Sequence, residues 1–168
     1  MPDDRSGFDP SEVAQLARRA LGAAQVQAAE GFASFIKSAP EERLERLMRS
    51  PARRVLLGII FRQMPRQLDR AQAARTSTFV RWRITGGPDG RDDVYEVEVA
   101  NGSATVRRGE SQREPRATLT VDGVEFLRLV TRNSEPMTAY FSGRLSISGD
   151  VMHASKLAVL FKPPGSEE

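Results

Sequence analysis

The spacing of apolar residues changes near Thr76, and this change divides the chain into two parts. Before Thr76, apolar residues recur three or four positions apart, which is the spacing of one buried helix face. After Thr76 they alternate with polar residues over several short stretches, which is typical of strands with one buried face. The pattern therefore predicts helices first and a sheet afterwards.

Three helices are predicted before Thr76. Asp9 followed by Pro10 is a helix start, and apolar residues then recur at helical spacing as far as Lys37. A second helix begins after Ser38, where a glutamate follows three positions later. Pro51 begins a third helix, which Pro65 should kink or divide because proline has no N–H for the helical hydrogen bond.

Five strands are predicted after Thr76. The first three form a meander, because a glycine-rich turn follows the first and the hairpin signal Asn101-Gly102 follows the second. A fourth strand begins at Ala117 and leads through a helical crossover to a fifth at Arg144. The predicted fold is α+β: a five-stranded, mostly antiparallel sheet with helices on one face, preceded by an N-terminal helical segment.

The last predicted helix, residues 151–161, has more apolar surface than one buried face requires. Its polar residues are His153, Ser155 and Lys156, and they do not gather on one side of the helix. A helix that lies on a core needs an apolar stripe only about 100° wide. We therefore expect this helix to contact a second apolar environment besides the sheet, either another helix or an apolar ligand.

A resemblance to a known family appears in the segment TLTVDGVEFLRLVTRNSEPMTAYFSGRLSISGD and the apolar helix after it. The segment resembles the second half of the sterol carrier protein 2 domain, in which a TL strand leads into a helix. A turn and strand of the pattern G…P…A…F…G-L-x-I-x-G-D and a closing helix then follow. The resemblance covers residues 118–161, extends more loosely back to Thr76 and is absent from roughly the first 50 residues.

The resemblance implies a sheet and helices that enclose an apolar tunnel for lipids, without catalytic residues. It also implies a division of the chain. Residues 1–50 are interpreted as a helical extension, residues 51–163 as a sterol-carrier-type lipid-binding domain and residues 164–168 as a tail.

Composition excludes several kinds of site and membrane segment. The chain has 168 residues and no cysteine, so disulfides and thiolate sites are excluded. No apolar run approaches the ~20 residues that span a bilayer, and the polar, acidic start is unlike a signal peptide. We therefore expect a cytoplasmic protein, with association at a membrane surface as a further option.

Positive charge is concentrated in residues 49–75, which contain seven arginines and a single acidic residue. Arg62, Arg66 and Arg70 are four positions apart, so they should share one helix face. Such a run is usually a solvated surface, and the alternative is attraction to anionic lipid headgroups or an acidic partner. Nucleic acid fits poorly, because the run lacks interleaved aromatic residues and a nucleic-acid-binding motif.

The sequence offers little support for catalysis. His153, the single histidine, has no serine or carboxylate near it in a recognised pattern, and we expect it to be a partly exposed helix residue. Asp92 and Asp93 are neighbours on a strand and should point to opposite faces. We predict no catalytic residues, no metal site and no cofactor.

An apolar-ligand site is the remaining candidate chemistry. Aromatic, methionine and aliphatic residues on the strands and the C-terminal helices could form it, although each could equally belong to the ordinary core. The candidates are Trp82, Phe126, Met137, Tyr140, Phe141, Leu145, Ile147, Met152, Leu157 and Leu160.

The predicted function is non-enzymatic binding and carriage of an apolar lipid of sterol, fatty acyl or prenyl type in a hydrophobic tunnel. One alternative is an accessory scaffold that presents a prenylated quinone-type intermediate to membrane-associated enzymes. Another is an interaction module whose core is filled by its own side chains. The expected partners are the lipid itself and, through Arg62, Arg66 and Arg70, an anionic membrane surface or lipid-modifying enzymes.

Overall fold

The computed structural model describes residues 26–161, with side chains from Gly31 onward except those of residues 158 and 159. Three helices open the described part of the chain: α1 Val26–Ser38, α2 Glu41–Arg49 and α3 Ala52–Gln63. They confirm the second and third predicted helices and the last part of the first. The beginning of the first predicted helix, from Asp9, lies outside the described residues.

Pro65 divides the helical segment after α3, as predicted. A short 3₁₀ helix, Met64–Gln67, follows α3, and Leu68 is extended with a ψ of 128°. Helix α4, Arg70–Ala73, then begins at Asp69, whose Oδ1 accepts hydrogen bonds from the N–H groups of Ala71 and Gln72.

The prediction that Arg62, Arg66 and Arg70 share one helix face is wrong. Arg62 belongs to α3, Arg66 to the 3₁₀ helix and Arg70 to α4. The helical repeat is lost where Leu68 becomes extended, so four-residue spacing no longer places the side chains above one another. All three side chains are nevertheless exposed.

The five predicted strands form one sheet in the order β3-β2-β1-β4-β5. The strands are β1 Thr78–Thr85, β2 Asp93–Ala100, β3 Ser103–Arg108, β4 Ala117–Asp122 and β5 Leu145–Gly149. Neighbouring strands are antiparallel except β1 and β4, which pair in parallel. The predicted mostly antiparallel sheet is therefore confirmed.

The hairpin between β2 and β3 follows from its two turn residues. Asn101 and Gly102 have φ values of 53° and 78°, and asparagine and glycine tolerate this left-handed conformation best. Ala100 pairs directly with Ser103 across the turn. The turn therefore fixes the register of the meander.

The two faces of the sheet are covered differently. Val80, Val97 and Val121 belong to the main apolar core, which the helices complete. On the opposite face, the Arg81 guanidinium lies 2.6 Å from the Glu96 carboxylate, and both residues are buried.

Residues 109–116 cover this buried ion pair. Arg81 donates hydrogen bonds to the carbonyl oxygens of Ser111 and Arg113, and the Ser111 N–H donates to Glu96. Burial alone would raise the pKa of Glu96, but hydrogen bonds from Ser111 and Arg81 outweigh burial and hold this pKa below its usual value. The segment after β3 is therefore a cover for the outer face of the sheet.

Two helices connect β4 to β5: α5 Gly123–Val130 and α6 Pro136–Phe141. Asp122 caps α5, because its carboxylate accepts a hydrogen bond from the N–H of Glu125. Glu135 caps α6 in the same way through the N–H groups of Met137 and Thr138. Both starts occur where the sequence predicts helical segments.

The prediction of one continuous final helix is wrong. The segment forms α7 Val151–Ser155 and α8 Leu157–Leu160, and the Lys156 N–H donates to the His153 carbonyl in a tightened turn. Phe161 then pairs with Leu68 in an isolated antiparallel bridge, beside which the Asp69 N–H donates to the Leu160 carbonyl at 2.7 Å. Among residues 26–161, no helix is long and apolar enough to cross a membrane.

Candidate functional site

An apolar cavity of about 160 Å³ lies between one half of the sheet and the helices. Three neighbouring strands supply one side of it, because Trp82 pairs with Leu119 and Leu119 pairs with Ile147. These three side chains therefore form a row across β1, β4 and β5, and Leu145 adds a fourth sheet residue. The row is where the parallel pair of strands meets the final antiparallel strand.

The helices and the segments between them supply the other walls. Every helix except α2 and α4, together with the 3₁₀ helix and the chain after α5 and α8, contributes a side chain. The wall residues outside the sheet are Phe32, Ile60, Met64, Gln67, Leu129, Val130, Thr131, Arg132, Pro136, Met137, Ala154, Ser155, Leu157 and Phe161.

Helix α1 is held against this site by a hydrogen bond. The side-chain amide of Asn133 donates to the carbonyl oxygen of Ala33 at 2.9 Å, and Phe32, next to Ala33, lines the cavity. The helical segment before residue 51 is therefore part of the site, although the resemblance to the family does not extend to it.

The polar groups of the cavity wall are few. The hydroxyl of Thr131 donates to the Leu127 carbonyl at 2.6 Å, and the hydroxyl of Ser155 donates to the Met152 carbonyl at 2.7 Å. These two hydroxyls are therefore satisfied by their own helices. Gln67 and Arg132 supply the amide and the guanidinium of the wall.

The size and lining of the cavity favour an apolar ligand. A dry cavity of about 150 Å³ in another protein binds benzene, because an apolar wall neither holds ordered water nor collapses completely. The present cavity, at about 160 Å³, is of that order.

The structure places half of the ten candidate residues on the cavity wall. Those on the wall are Trp82, Met137, Leu145, Ile147 and Leu157. Those that lie elsewhere are Phe126, Tyr140, Phe141, Met152 and Leu160.

Each candidate outside the cavity wall has an identifiable environment. Phe126 is fully buried in an aromatic cluster, with its ring 5.2 Å from that of Phe61 and 5.5 Å from that of Trp82. Leu160 is also buried in the main core. Phe141 and Met152 are 78% and 75% exposed, and Tyr140 is half-buried with its ring 5.4 Å from that of Phe141.

Sequence reasoning missed the wall residues contributed by the N-terminal helices. Phe32, Ile60 and Met64 belong to the helical stripes that the sequence predicts as buried. Their periodicity indicates that they face the core, but it does not indicate which core residues border an open space. Arg132 was missed because nothing in its local sequence distinguishes it from a surface arginine.

The prediction that His153 is partly exposed is wrong. Its side chain is buried, and the ring Nε2 forms a hydrogen bond with the hydroxyl of Thr78 on β1. The short helix α7 turns this residue toward the sheet. Burial lowers the pKa of His153, Arg116 and Lys156 lower it further, and Asp150 acts in the opposite direction.

The acidic residues of the described chain do not form a metal site. Within residues 26–161, no group of three or more histidine or acidic side chains could hold a metal ion. Asp93 accepts a hydrogen bond from Arg53 at 2.7 Å, whereas Asp92 lies 3.4 Å from Arg83. The two neighbouring carboxylates therefore form ion pairs with different arginines.

The arginines proposed for docking flank the cavity wall in sequence. Met64 and Gln67 line the cavity, and the exposed Arg62 and Arg66 lie on either side of Met64 along the chain. The segment that carries part of the positive charge therefore also contributes to the apolar site.

Comparison with known proteins identifies similar chains and folds. The model of the SCP-2 sterol transfer family matches residues 60–162. The sterol carrier protein 2 of Gallus gallus is 36% identical over 84 residues, which are 50% of this chain and 15% of that protein. The chain thus spans only about 15% of the length of the curated relative that it matches.

Solved structures show the same fold at lower identity. The apo form of sterol carrier protein 2 from Yarrowia lipolytica has a TM-score of 0.52 and 15% identity, covering 67% of this chain and 92% of that one. The structure described as UbiJ-SCP2 ubiquinone synthesis protein has a TM-score of 0.50 and 15% identity, covering 66% of this chain and 92% of that one.

Proposed function

The chain belongs to the SCP-2 sterol transfer family, and on that premise we propose that it binds an apolar lipid in the cavity and carries it unchanged. The observation that carries this proposal is the row Trp82, Leu119 and Ile147, which faces helix side chains across an open, apolar space. An interior filled by its own side chains would leave no such space. The open cavity therefore favours lipid binding over a purely structural interaction module.

The energetics of burial are sufficient for reversible binding. Each methylene removed from water contributes ~0.8 kcal/mol, so six to eight buried methylenes contribute roughly 5–6 kcal/mol. Loss of translational and rotational freedom offsets part of this gain. An apolar chain alone is therefore expected to bind with a dissociation constant of about 0.1 mM or weaker, as carriage requires release as well as uptake.

A cavity-filling substitution tests the proposal. Ala154 is buried and lines the cavity, so Ala154→Phe should occupy the space and lower the affinity for a fluorescent fatty acid at least about tenfold. Ala71→Phe is the matched control, because Ala71 is exposed on α4 and does not line the cavity. Native mass spectrometry of the freshly purified protein should show bound lipid in the wild type and less in Ala154→Phe.

The outcome that would contradict lipid binding in this cavity is equally specific. Circular dichroism and the melting temperature establish whether Ala154→Phe is folded. A folded Ala154→Phe protein that binds the probe as tightly as Ala71→Phe would exclude this cavity as the binding site.

A second candidate function is presentation of a prenylated quinone-type intermediate to membrane-associated enzymes. It is supported by the shared fold with the structure described as a ubiquinone synthesis protein and by the exposed arginines beside the cavity-lining residues Met64 and Gln67. Under this function, a prenylated quinone precursor should displace the fatty acid probe. Lipid-modifying enzymes should also co-purify with the wild-type protein.

A further inference from the structure

Strand β5 leaves one edge of the sheet open. It is the last strand in the sheet order, and within residues 26–161 no further strand pairs with it. Strands β4 and β5 are antiparallel, and the Asp150 N–H, just after β5, donates to the Arg116 carbonyl at 2.9 Å. Backbone groups alternate between the two sides of an antiparallel strand. The N–H and C=O groups of Leu145, Ile147 and Gly149 therefore face the open edge.

Strand β5 also lacks the residues that usually protect such an edge. Edge strands commonly carry charged side chains or proline, which prevent pairing with another chain. The sequence of β5 is LSISG, without charge or proline, and Ser146, Ser148 and Gly149 are exposed. The opposite edge strand, β3, ends in the exposed Arg107 and Arg108. Of these two edges, β5 is therefore the one suited to receive another strand.

The residues of this edge are complementary to themselves about Ile147. When two copies of β5 pair antiparallel with Ile147 opposite Ile147, Ser146 of each copy lies opposite Ser148 of the other. Just beyond the strand, Arg144 lies opposite Asp150, and opposite charges in cross-strand positions attract. The side chains of Arg144 and Asp150 are 44% and 42% exposed, so both are accessible to a second copy. Each contact occurs twice, as in a two-fold symmetric interface.

Exposed apolar side chains flank the same strand. Phe141 precedes β5 and Met152 follows it, and both are largely exposed. Phe141 lies six positions before Ile147 and Met152 five positions after it, so the same register brings Phe141 of one copy toward Met152 of the other. A methionine sulfur makes favourable contacts with an aromatic ring. Pairing would therefore cover two apolar side chains that the single chain leaves in water.

We propose that β5 is the interface of a homodimer in which two copies pair antiparallel about Ile147 and join their sheets into one. The occupant of this edge is a second copy of the chain because both its backbone register and its charges complement themselves. Ile147 also lines the cavity, so the dimer places the sheet walls of two cavities side by side. This inference does not depend on what the cavity binds.

Charge exchange on the outer face of β5 tests the interface. Sedimentation equilibrium of the full chain over a range of micromolar concentrations should show a dimer. The double variant Ser146→Lys, Ser148→Lys places lysine opposite lysine and should raise the dimer dissociation constant at least about tenfold, as should the corresponding double glutamate variant. A mixture of the two should regain the dimer, because each lysine then faces a glutamate. Ser103→Lys with Thr105→Lys is the matched control on β3 and should leave the dimer intact.

A disulfide tests the register without introducing charge. The chain has no cysteine, so thiols are present only where they are introduced. Ser146 and Ser148 of the second copy would have Cα atoms about 4.5 Å apart, which is within the range of a disulfide. Ser146→Cys mixed with Ser148→Cys should therefore form a cross-linked dimer on mild oxidation. Either variant alone should not, because identical positions are offset by about 7 Å along the strands.

The other outcomes would overturn the proposal. A wild-type protein that stays monomeric over this range would do so, and binding of that monomer to phosphatidylcholine vesicles through Phe141 and Met152 would assign the surface to a membrane. A dimer that persists in the double lysine variant would place the interface elsewhere, and equal loss in the β3 control would indicate a general charge effect. If circular dichroism shows that a charged variant is unfolded, the presence or absence of the disulfide in the cysteine mixture decides.

Discussion

His153 is a buried imidazole that joins α7 to the first strand. Its ring Nε2 is hydrogen-bonded to the hydroxyl of Thr78. The Asp150 carboxylate accepts a hydrogen bond from the backbone N–H of His153. The charged groups that act on the ring are Arg116, Asp150 and Lys156. Since burial and the two cations together outweigh Asp150, the folded protein favours the neutral imidazole.

The position of this imidazole makes stability depend on pH in a defined direction. The pKa of His153 in the folded protein lies below its ordinary value of about 6.5, so the unfolded chain takes up the proton first. The stability associated with neutral His153 is complete above about pH 6.5 and is lost as the pH falls below it. The wild type should therefore lose more stability than His153→Gln when the pH is lowered from about 7 to about 5.

Urea unfolding of both proteins at each pH measures this difference. Gln retains a polar end group for Thr78 but does not titrate in this range, so it serves as the reference. Parallel loss of stability in the two proteins would show that protonation of His153 does not destabilise the fold.

Arg53 shows why residue type alone did not predict every local role. In the sequence it is one of seven arginines in residues 49–75, and the run as a whole was interpreted as a solvated or docking surface. In the structure Arg53 is buried, donating to the Asp93 carboxylate at 2.7 Å and to the Ile84 carbonyl at 2.6 Å. These acceptors are distant in sequence, so no local pattern separates Arg53 from the exposed Arg62 or Arg66.

At the scale of elements, two leucines of the last helix, α8, have different surroundings. Leu157 is buried and lines the cavity, whereas Leu160 is buried in the core away from the wall. A polar substitution at either position places an amide in an apolar environment. Only the substitution at Leu157 places that amide on the cavity wall.

We expect Leu157→Asn and Leu160→Asn to separate binding from stability. Leu157→Asn should lower the affinity for a fatty acid about tenfold, because it replaces apolar ligand contact with an unpaired amide. Leu160→Asn should instead lower the free energy of unfolding by about 2–4 kcal/mol, as for loss of a buried leucine. Fluorescent-lipid titration and urea unfolding on both variants provide the measurements.

The affinity of the folded fraction of each variant for the fatty acid shows which of the two leucines contacts the ligand. Equal loss of affinity in the two folded variants would mean that α8 acts on the site as a whole and not through the side chain of Leu157. Unchanged affinity in folded Leu157→Asn would remove α8 from the binding site.

Local patterns predicted most elements because their causes are local. Alternating residues and the Asn101-Gly102 turn specify the β2–β3 hairpin, and Asp122 caps α5 three residues before Glu125. The break between α7 and α8 has no comparable signal. It precedes the bridge between Phe161 and Leu68, a contact between distant parts of the chain that sequence periodicity cannot reveal.

At the scale of the whole molecule, the exposed arginines on α3, the 3₁₀ helix and α4 are candidates for contact with a membrane. We propose that they attract anionic headgroups while the adjoining Met64 and Gln67 border the cavity. Each basic residue near an anionic surface contributes about 1 kcal/mol. The triple variant Arg62→Glu, Arg66→Glu, Arg70→Glu should therefore bind anionic vesicles at least about tenfold more weakly than the wild type.

A second triple variant controls for net charge. Arg46, Arg91 and Arg107 are also exposed, and changing all three to glutamate alters the net charge by the same amount. Vesicle co-sedimentation should be little affected by this control and should weaken with added salt in the wild type. Equal losses in the two triple variants would indicate a general charge effect and no docking surface.

The cavity itself was predictable only in part. The strand pattern and the resemblance to the family indicate the sheet residues Trp82, Leu145 and Ile147 as candidates. The wall opposite them depends on how α1 and α3 are placed, and therefore on contacts such as that between Asn133 and Ala33. Whether packed apolar faces leave a space is a property of the assembled volume and not of any single element.

The parallel pairing of β1 with β4 has a consequence for how the chain reaches its native state. The meander β1–β3 can form from neighbouring residues, but Val80 meets Ala117 only after the intervening chain has closed into a loop. Loop closure costs entropy before the new contacts compensate for it, and proteins rich in such non-local pairings fold more slowly than helical bundles. The slow step of folding is therefore expected to be the pairing of β4 with β1, which joins the meander to the strands β4 and β5. The same pairing brings Trp82 beside Leu119 and so completes the sheet side of the cavity.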